Sequence, residues 1–254
     1  MKIRYAGLAA LAGSMLLCFG LPAFAQDEVS VTFTGGYTTT WGNDSGDYGA
    51  GIYSANINGS PSASGIICDD FNDEVTSGET WNANAYQVST LVSSGNLDST
   101  LFGSSIGVQG YAEVATLVSL MFSGGTSLGG YSGITQAEIS SAIWYITTPG
   151  GIGGLNSTAM NLVNYVIGLF GGSGATASQI AAATNYLNSL TNLWILTPDP
   201  KTGVGSGEAQ EMWTENLSVP EGGAAILYLL LAGFTCFGVI FRNARKQALK
   251  RIVA

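Results

Sequence analysis

The last 37 residues constrain this chain most, because they combine a long uncharged stretch with a basic end. Residues 224–241 are 18 residues without a charge, and five of the chain's eight Lys and Arg follow within residues 242–254. An α-helix rises about 1.5 Å per residue, so this stretch spans about 27 Å of a hydrocarbon core that is ~30 Å thick. The pattern predicts a transmembrane helix at 224–241 with a basic cytoplasmic tail at 242–254.

The N-terminus predicts export. Lys2 and Arg4 precede an apolar stretch at residues 5–21, and Ala23-Phe24-Ala25 has the small-x-small pattern of a signal-peptide cleavage site. We therefore expect residues 1–25 to be a signal peptide. An exported ectodomain then occupies residues 26–214, which is the length of one domain with its own hydrophobic core, and residues 215–223 form a linker.

A short Pro-Glu motif lies in this linker. Val219, Pro220 and Glu221 precede the apolar stretch, and Gly222 stands where a second proline would complete the usual motif. Together with the transmembrane helix and the basic tail, this segment resembles the PEP-CTERM sorting signal of Gram-negative bacteria, in a VPEGG variant. The resemblance implies processing by an exosortase-like membrane protease-transpeptidase. It also implies anchoring in the inner membrane first and then delivery to the cell surface or extracellular matrix.

The content of histidine and cysteine excludes several kinds of site. The chain contains no histidine, which rules out Ser-His-Asp and Cys-His catalysis and imidazole metal ligands. Of its three cysteines, Cys18 lies in the signal peptide and Cys236 in the apolar stretch, leaving Cys68 in the ectodomain. The ectodomain therefore has neither an internal disulfide nor a cysteine zinc cluster, and no cofactor or metal is expected.

The ectodomain is strongly acidic. Residues 26–219 contain 16 Asp and Glu against a single basic residue, Lys201. Such a surface repels nucleic acid phosphates and anionic lipid headgroups, so nucleic acid is not an expected partner.

The hydrophobic periodicity predicts an α+β fold. Alternating or continuous apolar patterns predict strands at residues 29–34, 51–57, 64–71, 193–196 and 209–213. Residues 38–41 are expected to pair with the first strand across Gly35-Gly36. Helical spacing predicts three to four helices, at residues 111–122, 135–146, 155–170 and 176–190. We therefore expect a β-rich sandwich or barrel-like ectodomain with a helical insertion, plus the C-terminal transmembrane helix.

Two segments resemble the paired signatures of the thioester domains of bacterial surface adhesins. Cys68-Asp69 fits the first signature and Ala142-Ile143-Trp144 the end of the second. In that family a cysteine bonds to a helical glutamine, and the thioester captures amines or hydroxyls. Ser140 stands at the glutamine position, and Gln136 lies one helical turn earlier. The resemblance implies either a covalent adhesin with a Cys68–Gln136 thioester or a related scaffold in which Cys68 is buried.

The densest acidic segment of the ectodomain follows Cys68. It consists of Asp69, Asp70, Asp73 and Glu74. A solvated loop, a cation-binding site and a carboxylate-dependent hydrolase are the three interpretations of this segment.

Aromatic residues of the predicted strands have two interpretations. They could line a carbohydrate platform or pack in the core, and they are Trp41, Tyr48, Tyr53, Trp81 and Tyr86.

These patterns favour a non-enzymatic function. We expect an exported, exosortase-processed surface or matrix protein with a structural or adhesive function in a biofilm, associated with extracellular polysaccharide. The alternatives are the covalent adhesin and the hydrolase.

Overall fold

The structure is a computed structural model that describes residues 27–43, 46–62, 65–149, 152–199 and 209–217. The predicted signal peptide, the sorting motif and the C-terminal apolar stretch lie outside the described residues. The described part contains strands and helices in the following order along the chain. The strands are β1 (Asp27–Gly35), β2 (Thr39–Asn43), β3 (Gly46–Ala50), β4 (Ser54–Ile57), β5 (Ser60–Pro61), β6 (Ile67–Cys68), β7 (Thr80–Gln87), β8 (Ser127–Leu128), β9 (Tyr131–Ser132), β10 (Leu193–Pro198) and β11 (Met212–Glu215). The helices are α1 (Val88–Ser93), α2 (Gly103–Phe122), α3 (Gln136–Thr147), α4 (Ser157–Phe170) and α5 (Ala177–Ser189).

Seven of the strands form one antiparallel sheet in the order β5-β4-β1-β7-β10-β11-β6. The sheet curls into a half-barrel. Its two edge regions meet at one bridge, where Tyr53 and Ile66 exchange backbone hydrogen bonds of 2.8 and 2.9 Å. Strands that precede the helices in the chain and strands that follow them therefore belong to the same sheet.

Apolar and polar side chains alternate along the central strands, so that one face of each strand packs on the core. On β1, Val29, Val31 and Phe33 are buried, while the residues between them are more exposed, as expected for a strand with one face on the core. The neighbouring β7 buries Trp81, Ala83 and Ala85 in the same way. The sequence patterns predict no strand at β7, because asparagine and alanine alternate in its middle and both are weak strand formers.

The helices pack around α2. This helix contacts α3, α4 and α5, and its inward residues belong to the main hydrophobic core. By length and hydropathy α2 would qualify as a membrane span, but half of that stretch is buried inside the domain, as is typical of a central core helix.

The helix predictions are largely confirmed. Thr135 caps α3 and, with Glu138, forms the expected capping box. The five described helices exceed the predicted three to four because the short helix α1 was missed. Helix α2 begins at Gly103 rather than at Tyr111, with a break at Gly107, whose φ is 65°. That break interrupts the helical spacing on which the prediction depended.

The expected hairpin between residues 29–34 and 38–41 is wrong. Strand β2 pairs with β3 in a separate two-stranded ribbon. Both edges of β1 are already occupied, by β4 on one side and β7 on the other, so no free edge remains for β2.

Helix α2 buries a carboxyl group away from any base. Glu113 is 2% exposed, and its Oε1 accepts a hydrogen bond of 2.9 Å from the Gly172 backbone N–H. None of the described residues is basic, so no ion pair within them compensates for the burial. Burial raises the pKa of Glu113 to about 7, although the hydrogen bond from Gly172 acts in the opposite direction.

The Glu113 side chain should make the domain less stable at alkaline than at acidic pH. Its folded-state pKa lies above the unfolded value, so its contribution to stability is complete below about pH 4 and is lost as the pH rises through about 7. Glu113→Gln removes this titration and keeps an oxygen for Gly172. We expect the free energy of unfolding of the variant, relative to the parent, to rise by about 1–2 kcal/mol between pH 5 and pH 8.

Urea unfolding followed by tryptophan fluorescence measures this difference. Glu138→Gln is the matched control. Partial burial acts to raise the pKa of Glu138, but hydrogen bonds from Thr135, Asn156 and Thr158 lower it overall. Its contribution is therefore already complete at pH 5, and the free energy of Glu138→Gln relative to the parent should change little up to pH 8. A pH-independent difference for Glu113→Gln would contradict the account.

Candidate functional site

An open groove lies at one end of the half-barrel. It has a volume of about 560 Å³ and is formed by the end of β1, strand β3, the loop after β6 and helix α3. Six aromatic side chains line it: Phe33, Tyr37, Tyr48, Tyr53, Phe71 and Trp144. Polar side chains with carboxyl or amide groups complete it: Asp70, Asp73, Glu74 and Gln210.

Three aromatic rings of the groove, those of Tyr48, Phe71 and Trp144, form one packed cluster. The centroid of the Phe71 ring lies 4.9 Å from that of Tyr48 and 5.4 Å from that of Trp144. Trp41 packs beside these rings at centroid distances of 6.0–6.4 Å. Trp41 and Trp144 are buried, whereas Tyr48 and Phe71 are half-buried. The groove therefore offers partly exposed ring surface on a rigid aromatic base.

Tyr37 forms the exposed rim of this surface. Its side chain is 54% exposed, and its ring lies directly over Gly49. A Cβ atom at position 49 would come within 2.8 Å of Tyr37 Cδ1, closer than carbon atoms can approach. The absence of a side chain at Gly49 thus allows the Tyr37 ring to lie where it does.

Strand β6 and helix α3 hold the acidic loop in place. Trp144 Nε1 donates to the carbonyl oxygen of Cys68 at 3.2 Å, and Thr147 Oγ1 donates to that of Asp69. On the other side, Gln210 Nε2 donates to the carbonyl oxygens of Asp70, at 3.0 Å, and Asp73. The loop backbone is therefore tied to the helix and to the segment before β11.

Two carboxyl groups of this loop share a hydrogen bond in the groove. Asp70 is 2% exposed, and its Oδ1 accepts from the Asn72 backbone N–H at 3.0 Å. Burial and the hydrogen bond with the Asp70 carboxyl raise the pKa of Asp73 to about 7. Near neutral pH the Asp73 carboxyl is therefore partly protonated.

A second carboxyl pair lies in the core next to this loop. Glu211 is fully buried and accepts hydrogen bonds from Tyr111 Oη (2.6 Å), Leu101 N (2.7 Å) and Thr197 Oγ1 (2.6 Å). Asp69 Oδ2 accepts from Trp213 Nε1 at 2.6 Å. Burial, together with the nearby Glu211 carboxyl, raises the pKa of Asp69 well above its usual range. Burial also raises the pKa of Glu211, although the hydrogen bonds from Thr197, Tyr111 and Leu101 act in the opposite direction.

The acidic residues adjacent in sequence are separated in space. Asp69 faces the core, Asp70 and Asp73 line the groove, and Glu74 is exposed at its rim. Among the residues that the structure describes, no group of three or more His, Cys, Asp and Glu side chains could hold a metal ion. A metal ion held jointly by these four residues therefore has no geometric support.

The structure does not bring Cys68 and Gln136 together. Cys68 is a buried free thiol that donates to the Asp70 carbonyl oxygen at 2.9 Å. Gln136 begins α3, and its Oε1 accepts from Thr38 Oγ1. Thr147, which contacts Asp69, lies 11 residues later, about 16 Å farther along the helix axis.

These contacts give no geometric support to the predicted Cys68–Gln136 thioester. Ser140, the residue at the glutamine position, instead accepts a hydrogen bond of 2.8 Å from the Gly51 backbone N–H. The two segments that resemble the thioester signatures do meet, but through Trp144 and the Cys68 carbonyl oxygen.

The groove contains only part of the predicted aromatic platform. Tyr48 and Tyr53 line it and Trp41 packs beneath it, whereas Trp81 and Tyr86 lie on β7. Sequence reasoning missed the aromatic residues that come from other segments: Phe33, Tyr37, Phe71 and Trp144. The only sequence signal for any of them was the position of Phe71 directly after Asp69 and Asp70, which suggests an aromatic ring close to the acidic loop.

Comparisons of the chain with protein-family models, curated proteins and solved structures find no match. The functional argument therefore depends on the groove and on the sequence signals.

The Cys68 thiol should be unreactive in the folded protein. Burial and the nearby carboxyl groups of Asp69 and Asp70 raise its pKa well above the usual range, so the nucleophilic thiolate is scarce. In a Cys18→Ser, Cys236→Ser background we expect intact-mass spectrometry to show labelling by a thiol reagent only after unfolding. It should show no addition of methylamine. Rapid labelling of the native protein, or methylamine addition, would contradict this environment for Cys68.

Proposed function

We propose that this chain is an exported surface or extracellular-matrix protein that binds polysaccharide non-covalently through the aromatic groove. In this proposal an exosortase-like enzyme processes it at the Val219-Pro220-Glu221 motif. The open groove, with its cluster of partly exposed aromatic rings, is the observation that carries the proposal.

Aromatic side chains suit the two-sided chemistry of a sugar ring. A pyranose ring has apolar C–H faces and a rim of hydroxyl groups. The rings of Tyr37, Tyr48 and Phe71 provide flat apolar surface for such a face, and the tyrosine hydroxyls and Gln210 are available to the hydroxyl rim. The groove volume of about 560 Å³ lies within the range of small-ligand sites. Because the groove is open, one or two units of a longer polymer can enter it from the side.

Binding without hydrolysis is the function that the carboxyl geometry favours. Glycosidases separate their two carboxyl groups by about 5–5.5 Å or about 6.5–9.5 Å, leaving room for the scissile bond or for a water molecule. Asp70 is instead buried, with the Asp73 carboxyl beside it, and this leaves no such space between them. The lack of histidine in the chain further reduces the choice of general acids and bases.

The proposal also covers the architecture beyond the described residues. A barrel-like domain with inserted helices would be followed by an inner-membrane anchor at residues 224–241. The shared sheet formed by strands from before and after the helical run supports the first part. The uncharged 18-residue stretch with its basic flank supports the second.

Loss of the exposed ring should weaken polysaccharide binding. Tyr37→Ala removes the rim of the groove without opening the core, so we expect binding of the detergent-solubilised full-length chain to insoluble polysaccharides to fall about tenfold. Gly49→Val should have a similar effect, because its side chain displaces the Tyr37 ring. Tyr131→Ala, on the exposed β8–β9 ribbon, is the matched control and should bind as the parent does. Equal loss in all three variants would show that the groove is not the binding surface.

The sorting motif should determine where the chain accumulates. In a Gram-negative host with an exosortase, we expect Glu221→Ala to leave the full-length chain, with its basic tail, in the inner membrane. Cell fractionation and intact-mass spectrometry detect this form. Gly222→Pro, which restores the usual second proline, should still be processed. If Glu221→Ala is processed as efficiently as the parent, the chain does not follow this sorting route.

A further inference from the structure

We infer that the polysaccharide recognised by the groove consists of amino sugars with free ammonium groups. This inference rests on the proposed function and names the chemical class of its ligand. It follows from the charges that the groove brings next to its aromatic rings.

The charge balance excludes acidic polysaccharides first. Asp70, Asp73 and Glu74 line the groove, and none of the described residues is basic. A polymer of uronic acids would bring its own carboxylates against these groups without any cation between them. Repulsion of like charges at short range costs several kcal/mol, so such a polymer is selected against.

A neutral polysaccharide would use only part of the site. Stacking on Tyr37 and Phe71 and hydrogen bonds to the loop would hold it. The partly buried carboxyl groups would then lose water without gaining a charged partner. An ammonium group supplies that partner, because it donates charge-assisted hydrogen bonds to carboxylates. It also gains from lying against the face of an aromatic ring.

The arrangement of the carboxyl groups fits an alternation of rings and ammonium groups. Phe71 lies between Asp70 and Asp73 in sequence, and its ring packs on Tyr48 while all four residues line the groove. Glu74 extends the acidic surface to the rim, where the next sugar unit of a polymer would lie. An aminated polymer can therefore place a ring on the aromatic cluster and its ammonium groups on the loop.

The raised pKa of Asp73 gives this ligand a distinct signature. An ammonium group beside the Asp73 carboxyl favours its ionised form and lowers its pKa from about 7. Binding at pH 6 should then release a proton from Asp73, up to about one per site. The proton passes to the buffer, and no covalent bond forms or breaks in the ligand. A neutral glycan stacked on the same rings releases none.

Isothermal titration of the full-length chain in mild detergent tests the inference. The probes are a glucosamine hexamer, its N-acetylated form, cellohexaose, a galacturonate hexamer and a hexalysine peptide, each at pH 6 in two buffers of different ionisation enthalpy. We expect the glucosamine hexamer to bind at least about tenfold more tightly than the N-acetylated hexamer and cellohexaose. Its binding alone should release protons, and the galacturonate hexamer should not bind.

Two matched carboxyl variants locate the effect. Asp73→Asn should remove both the preference for the glucosamine hexamer and the proton release. Asp98→Asn removes one exposed carboxylate outside the groove, on the short turn Leu97–Ser99, and should change neither. Urea unfolding of Asp73→Asn, followed by tryptophan fluorescence, should match that of the parent and shows that this variant is folded.

The remaining outcomes overturn the inference in different ways. Equal affinity for aminated and neutral hexamers would overturn it and leave polysaccharide binding intact. Equal loss of affinity in Asp73→Asn and Asp98→Asn, or equal binding of hexalysine, would show attraction by the overall negative charge alone. No binding of any glycan would overturn both this inference and the proposed function.

Discussion

The hydrogen bonding of the buried Glu211 carboxyl group is the interaction on which the arrangement of this domain depends. A fully buried carboxyl group needs hydrogen-bond donors or a cation, and none of the described residues is basic. Its three donors come instead from helix α2, from the segment before that helix and from β10. Because an unsatisfied buried carboxylate would be very costly, these segments must be positioned together. The helical layer and the sheet are thereby fixed relative to each other at one point.

The groove follows from this fixed point. Glu211 immediately precedes β11, whose Trp213 holds Asp69 in the core beside β6. With Asp69 directed inward, the next residue, Asp70, is left on the groove side with Asp73. Two consecutive acidic residues thus have different environments: Asp69 lies in the core and Asp70 lines the groove. The same loop backbone is tied to α3 and Gln210, so the groove carboxyl groups are held in place before any ligand binds.

Sequence patterns predicted those helices whose formation depends on residues close together in the chain. The Thr135–Glu138 capping box and the periodicity of residues 155–170 and 176–190 depend on neighbours within one or two turns, and these helices are present. The pairing of β2 with β3 and the break at Gly107 depend on tertiary contacts, which periodicity does not record. The prediction of a Cys68–Gln136 thioester lacks geometric support for a related reason. A resemblance in two segments does not specify which turn of α3 faces β6. The groove was predictable only in fragments, because its rings come from segments that are distant in sequence.

The bridge between Tyr53 and Ile66 has a consequence for contacts between copies of this domain. Exposed sheet edges are templates on which further chains add strands and aggregate. Here the edge strands β5 and β6 are two residues long each, and the segments beside them bond to one another across the opening of the half-barrel. The edges of this sheet therefore offer a neighbouring copy little backbone to pair with. Copies at high local concentration can remain separate folded units rather than forming fibres.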